Sequence, residues 1–170
     1  MLDMLDMCWA VKTHQVSFIL NPDGGWTSFP EHLRPIIEKP WTEIKYFSGN
    51  NGELNPEILN VPNDCGGIYV FLIKPVVIPE IHLYLAYIGR AKHTQYQNLR
   101  KRVSEYAKET KRPKICMLKK QWGDHLYLRY LPLDNNELID EMEKELIKAI
   151  LPPFNDQYPE VYNKAIRAAF

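Results

Sequence analysis

The stretch CGGIYVFLIKPVVIPEIHLYLAYIGRAK, Cys65 to Lys92, decides the fold. It holds two apolar runs rich in β-branched and aromatic residues, GIYVFLI and HLYLAYI, joined by the proline-bearing segment KPVVIPE. Such runs around a turn-forming segment predict an antiparallel hairpin. Each run carries a tyrosine beside a glycine in near-mirror settings, Gly67-Ile68-Tyr69 and Tyr87-Ile88-Gly89. Tyrosine is a good strand former and glycine ends strands, so strand architecture explains the pair as well as a functional role does. Downstream, HLYLRYLPL (125–133) predicts a third strand. A helix is expected from about Gln95 to Glu109, and a second over DNNELIDEMEKELIKAIL, with a capping pattern at Asp134 and Glu137 and a stop at Pro152 and Pro153. A basic loop is expected between the first helix and the third strand.

Upstream, residues 1–60 read as a mixed extension with a strand at VSFIL (16–20), a turn at NPDGG (21–25) and a polar loop, SGNNGELN. The fold class is therefore α/β, a small three-stranded antiparallel sheet flanked by helices. Its domain spans 61–157, between this N-terminal extension and a C-terminal helical tail, 158–170. At 170 residues with 45% apolar side chains the chain can bury one ordinary core. The first residues carry two aspartates and no cation before Lys12, the wrong charge order for a secretory signal, and the longest apolar stretch is broken by Lys74 and Pro75. A soluble cytoplasmic protein is expected. Cys8, Cys65 and Cys116 are odd in number and widely spaced, and the five histidines show no ligand spacing, which argues against a disulfide framework and a zinc site.

Net charge is zero, but its distribution is uneven. From Arg90 to Lys120 eleven lysines and arginines face two acids, a surplus of nine positive charges balanced by nine negative ones elsewhere. Such a run is either a solvated face or the footprint of a phosphate backbone. On a helical wheel of about 100° per residue, Leu138, Ile139, Met142, Leu146, Ile147, Ala149 and Ile150 fill an arc of about 180°. Glu143 falls inside that arc, at about 140°. A carboxylate aimed at a core needs a partner, either a buried arginine or a metal ion. In the first helix Arg102 and Tyr106 lie together at i and i+4. Arg102 is thus placed either to pair with Glu143 or to join it in facing a reacting phosphate.

Taken together, these motifs resemble the GIY-YIG nuclease family over about residues 65–157. The two name motifs are followed by NLRKRVSEY (98–106), EKELIK (143–148) and LPPFN (151–155), in the family's order. The likeness is greatest to the nuclease domain of the bacterial excision-repair incision protein and to GIY-YIG restriction endonucleases. It implies a metal-dependent DNA endonuclease. Tyr69 would orient or deprotonate the attacking water, Glu143 would bind one Mg²⁺ or Mn²⁺, and Arg102 would neutralise developing charge. Tyr87 and Tyr106 would hold water and phosphate, with Asn155 supporting the site. Arg90, Lys92, Lys111, Arg112 and Lys114 would contact the DNA backbone, and residues 1–60 with the 74–82 loop would recognise substrate. The chain departs from the family in a longer loop at Lys74–Ile81, in the insertion HTQYQ (93–97), and in Arg90 where lysine is common. Its size suits a restriction, defence or mobile-element enzyme. Two rival readings are a non-cleaving nucleic-acid-binding module of the same fold and a structural protein with a buried Arg102–Glu143 pair.

Overall fold

The computed structural model describes residues 16–20, 22–49, 52–78 and 81–158. The anticipated tail beyond Tyr158 lies outside them. The elements are a one-turn helix α1 (Arg34–Ile37), strands β1 (Thr42–Lys45), β2 (Phe47–Ser48), β3 (Glu53–Leu54), β4 (Gly66–Ile73) and β5 (Tyr84–Ala91), helices α2 (Leu99–Glu105) and α3 (Pro113–Trp122), strand β6 (Leu126–Leu133) and helix α4 (Asn136–Ile150).

All eight residues of β4 are buried, as a central strand requires. It pairs antiparallel with β5 on one side and β6 on the other. The hairpin and the third strand stand where the apolar runs predict them. The sheet has four strands, however, not three: β1 adds to the far side of β6, giving the order β1-β6-β4-β5. The fourth strand comes from the N-terminal extension, so part of that extension belongs to the domain. TEIK buries one apolar side chain, Ile44. Its acid is satisfied across the sheet, where the Glu43 carboxylate takes Lys74 Nζ at 2.5 Å and Arg129 Nε at 2.5 Å. Partial burial opposes ionisation of Glu43, but these two cations overcome it and lower its pKa. A separate two-stranded ribbon, β2–β3, follows.

Further expectations need correction. VSFIL forms no strand; its residues are largely exposed and lack a neighbouring strand, without which β propensity has no ladder to join. The basic loop contains α3, with Pro113 in its first turn and Ile115, Leu118 and Trp122 buried at helical spacing. The first helix begins at Leu99, not near Gln95, because the Asn98 side chain caps it by accepting from Lys101 N at 2.9 Å. It ends in a 3₁₀ turn at Tyr106–Lys108.

Alternation along β4 divides the core. Tyr69, Phe71 and Ile73 face α2 and α3 together with Leu99, Val103, Ile115 and Leu118. Ile68, Val70 and Leu72 face the other way, onto Ile139, Met142 and Leu146 of α4. Each fully buried aliphatic side chain contributes on the order of 1.5–3 kcal/mol, so the sheet is clamped between two apolar layers. The α4 cap is Asn135, not Asp134: Asn135 Oδ1 accepts from Glu137 N and Leu138 N at 2.9 and 3.0 Å. The helix stops at Leu151, in the left-handed region at φ 52°. Among the described residues, no helix is long and apolar enough to cross a membrane.

Candidate active site

The mirrored motifs are read by the register. Tyr69 lies opposite Gly89 across the β4–β5 pair, and Tyr87 lies opposite Phe71. A Cβ on Gly89 would stand 2.6 Å from both Cζ and Oη of Tyr69, so the ring of the first motif lies across the glycine of the second. Gly67 has a different reason. Its φ is 155°, and a Cβ there would meet the Leu131 carbonyl oxygen at 2.4 Å.

The Tyr69 hydroxyl ends against Tyr106, Oη to Oη 2.7 Å, and Tyr106 also reaches the Tyr87 hydroxyl at 3.0 Å. Three phenols from β4, β5 and the turn after α2 thus share one hydrogen-bonded chain, with Tyr106 in the middle. Two guanidinium groups lie over the Tyr106 ring, Arg112 at 4.5 Å and Arg102 at 5.3 Å from its centroid. The Tyr46 hydroxyl donates to Val103 O at 2.6 Å and so holds the helix that carries Arg102. Burial pushes the Tyr69 phenol well above its ordinary value, and Tyr106 and Tyr87 add to the rise; Arg102 pulls the other way. Tyr87 is raised for the same first reason, burial. Both therefore keep their protons in the free protein.

Glu143 projects from α4 with a side chain 22% exposed, but its partner is not Arg102. Arg90 Nε bonds Glu143 Oε2 at 2.5 Å, and the same guanidinium reaches Asp140, which also takes Lys92 Nζ at 2.5 Å. Burial raises the Glu143 pKa, while Arg90, and Arg102 at longer range, partly offset this. A recess of about 410 Å³ brings Tyr69, Tyr87, Arg90, Lys92, Arg102 and Glu143 together with Gln97 and Gln157. Tyr69 borders it yet has no exposed surface, so its hydroxyl faces Tyr106 and not the open space. Tyr87 and Glu143 also line a second recess of about 830 Å³, with Arg112, Lys144, Lys148 and Asn155.

Asn155 lines the second recess, but its side-chain amide is spent on the backbone of β5. Its amide nitrogen donates to Ile88 O at 2.8 Å and its oxygen accepts from Ile88 N at 3.0 Å. With Phe154 N donating to Ala86 O at 3.0 Å, the segment pairs along the outer side of β5 and fixes the backbone between Tyr87 and Gly89. Lys114 Nζ donates to Asn155 O at 2.6 Å. Arg112 Nε bonds Glu109 Oε2 at 2.8 Å; the Lys111 N–H and Arg112 together hold Glu109 down to about 2. The Lys111 side chain is exposed. Sequence reasoning named Arg112 for the backbone contact but missed its place over Tyr106, and it missed Asp140 altogether. Asp140 was recoverable in principle, since three residues before Glu143 places it one turn away on the same face of α4.

Among the described residues no group of three or more His, Cys, Asp or Glu gathers to hold a metal ion. A divalent ion here would rely on the Glu143 carboxylate, water and substrate oxygens. That donor set fits a hard cation such as Mg²⁺, which keeps several waters and needs only one or two carboxylates. Comparison of the chain with protein-family models, with curated proteins and with solved structures finds no match. What fold and geometry define is a class of site: a tyrosine-lined, cationic recess beside a single carboxylate, at the edge strand of an antiparallel sheet.

Proposed function

We propose that the chain is a metal-dependent endonuclease of the GIY-YIG type, hydrolysing phosphodiester bonds in DNA. The observation that carries this reading is the convergence of Tyr69, Tyr87, Arg102 and Glu143, from four separate elements, on one recess. A divalent ion on Glu143 supplies charge neutralisation of the phosphate and a polarised water. Arg102 faces the same space and stabilises the charge that builds on the phosphoryl oxygens. Tyr87, open to both recesses, orients phosphate or water through its hydroxyl. Tyr69 reaches a water only once Tyr106 Oη yields its hydrogen bond, and gives up its proton only with cations beside it. Asn155 positions Tyr87 by fixing Ile88. Lys92, Lys111, Arg112 and Lys114 are the proposed backbone contacts. With this activity we propose a cytoplasmic role in restriction, defence or mobile-element cleavage.

A second reading, a nucleic-acid-binding module that does not cut, draws on two specific observations: Arg90 already neutralises Glu143, and Tyr69 is closed to solvent. Incubating the purified chain with supercoiled plasmid in Mg²⁺, in Mn²⁺ and in chelator separates the two. Ion-dependent nicking or linearisation, abolished in a folded Glu143→Gln variant, is the expected result. Plasmid binding without cleavage in either ion would favour the binding module.

A further inference from the structure

Arg90 follows Gly89 on the edge strand, and its guanidinium spans two carboxylates one turn apart on α4, Glu143 through Nε and Asp140 through Nη1. These two acids are not equivalent. Glu143 faces the recess with the tyrosines and is largely withdrawn from water, whereas Asp140 is 40% exposed and does not line it. Asp140 has two cations, Arg90 and Lys92; among the described residues Glu143 has Arg90 as its one ion pair. Arg90 is therefore able to leave Glu143 while remaining on Asp140.

We propose that Arg90 is a placeholder cation, occupying the Glu143 carboxylate in the absence of nucleic acid and releasing it to a divalent ion when a backbone phosphate draws the guanidinium away. Asp140 is the berth onto which Arg90 retracts. This rests on the reading of Glu143 as the ion ligand. An ionised carboxylate withdrawn from water needs a counter-charge, and Arg90 supplies it before the ion arrives. The guanidinium and a divalent ion compete for the same oxygens and repel each other. An arginine fork, in turn, matches phosphate oxygens. Phosphate and ion then favour each other's binding by the same factor, as linkage demands. Chemistry is held back until substrate is in place.

The test is Mn²⁺ binding to the full chain without nucleic acid, followed by the electron-spin-resonance signal of the free ion, in wild type, Arg90→Gln, Asp140→Asn and Glu143→Gln. Arg90→Gln is expected to bind Mn²⁺ at least about tenfold tighter than wild type, and Asp140→Asn more weakly, because Arg90 loses its berth. A short single-stranded oligonucleotide is expected to tighten Mn²⁺ binding in wild type and not in Arg90→Gln. If Glu143→Gln abolishes binding but Arg90→Gln binds no tighter than wild type, the placeholder role is overturned and the nuclease reading stands. Binding in no variant, or binding indifferent to Glu143→Gln, overturns both. Should Arg90→Gln fail to fold by circular dichroism, Arg90→Lys replaces it: a lysine does not span both carboxylates, so tighter binding than wild type is again expected, and its absence overturns the proposal.

Discussion

Replacing Gly89 with alanine tests whether the two tyrosine motifs are one device. The added Cβ would stand 2.6 Å from Tyr69 Cζ and Oη, where ordinary contact begins near 3.4 Å. Gly89 is not among the residues of positive φ, so backbone strain plays no part. The Tyr69 ring is fully buried, edge-on to Phe71 and to Tyr106. It has to retreat by about 1 Å into an interior packed without slack. A shift of that size in line with the Tyr106 bond would stretch 2.7 Å beyond hydrogen-bonding range. Overpacking of this kind costs about 1–3 kcal/mol and the lost bond about 1 kcal/mol more, so Gly89→Ala should destabilise by about 2–4 kcal/mol. If Tyr69 serves the proposed cleavage, its displacement by about 1 Å should cost about a hundredfold in rate. Urea unfolding gives the first quantity and single-turnover plasmid cleavage the second. The decisive variant is Gly89→Ala combined with Tyr69→Ala, where the alanine has nothing to strike and should add less than about 0.5 kcal/mol to the cost of losing the ring. If Gly89→Ala alone is as stable as wild type, or costs as much without the ring as with it, the two motifs are not one device.

Two other outcomes are expected. Burial holds the phenols of Tyr46, Tyr69 and Tyr87 above their ordinary value of 10.0, so beyond that pH the unfolded chain has lost protons that the folded chain keeps. Their contribution is complete below about pH 10 and falls as pH rises, by about 1.4 kcal/mol per pH unit for each phenol. Urea midpoints from about pH 9 to about pH 11 should show this slope, reduced by roughly a quarter to a third in Tyr69→Phe because the half-buried Tyr158 phenol is raised as well; an unchanged slope would contradict it. Asn155→Ala leaves the buried Ile88 N–H and C=O unpaired and should destabilise by about 2–4 kcal/mol, with Asn155→Asp losing at least as much, because its buried carboxylate would face the Ile88 carbonyl oxygen that the amide nitrogen now serves. Equal stability of all three chains in urea would rule out the pairing.

The long elements were legible because burial imposed one pattern on each. β4 is apolar throughout since both its faces are covered, and the α4 wheel isolated the residues that meet the sheet, with Glu143 among them. β1 was not legible: one buried isoleucine among charges reads as surface, and its acid is satisfied only by Lys74 and Arg129, distant in sequence. α3 was hidden by its own lysines, although Ile115, Leu118 and Trp122 keep helical spacing. VSFIL misled in the opposite sense, since strand propensity acts only where a neighbour completes the ladder. At the site, periodicity showed that Glu143 needed a cation but not which one. Arg102 and Arg90 are both near in space, and only the β5 register, which turns Arg90 toward α4, decides between them.

The pairing of Phe154 and Asn155 along β5 has a second effect, on how copies of the chain behave toward one another. The strand that carries Tyr87 and Gly89 is the last in its sheet, and an unpaired last strand offers backbone donors and acceptors to any extended chain nearby. At Ala86 and Ile88 those groups are already taken from within. Loosening this segment therefore uncovers a template for intermolecular strand addition, and damage there should show first as turbidity at high protein concentration.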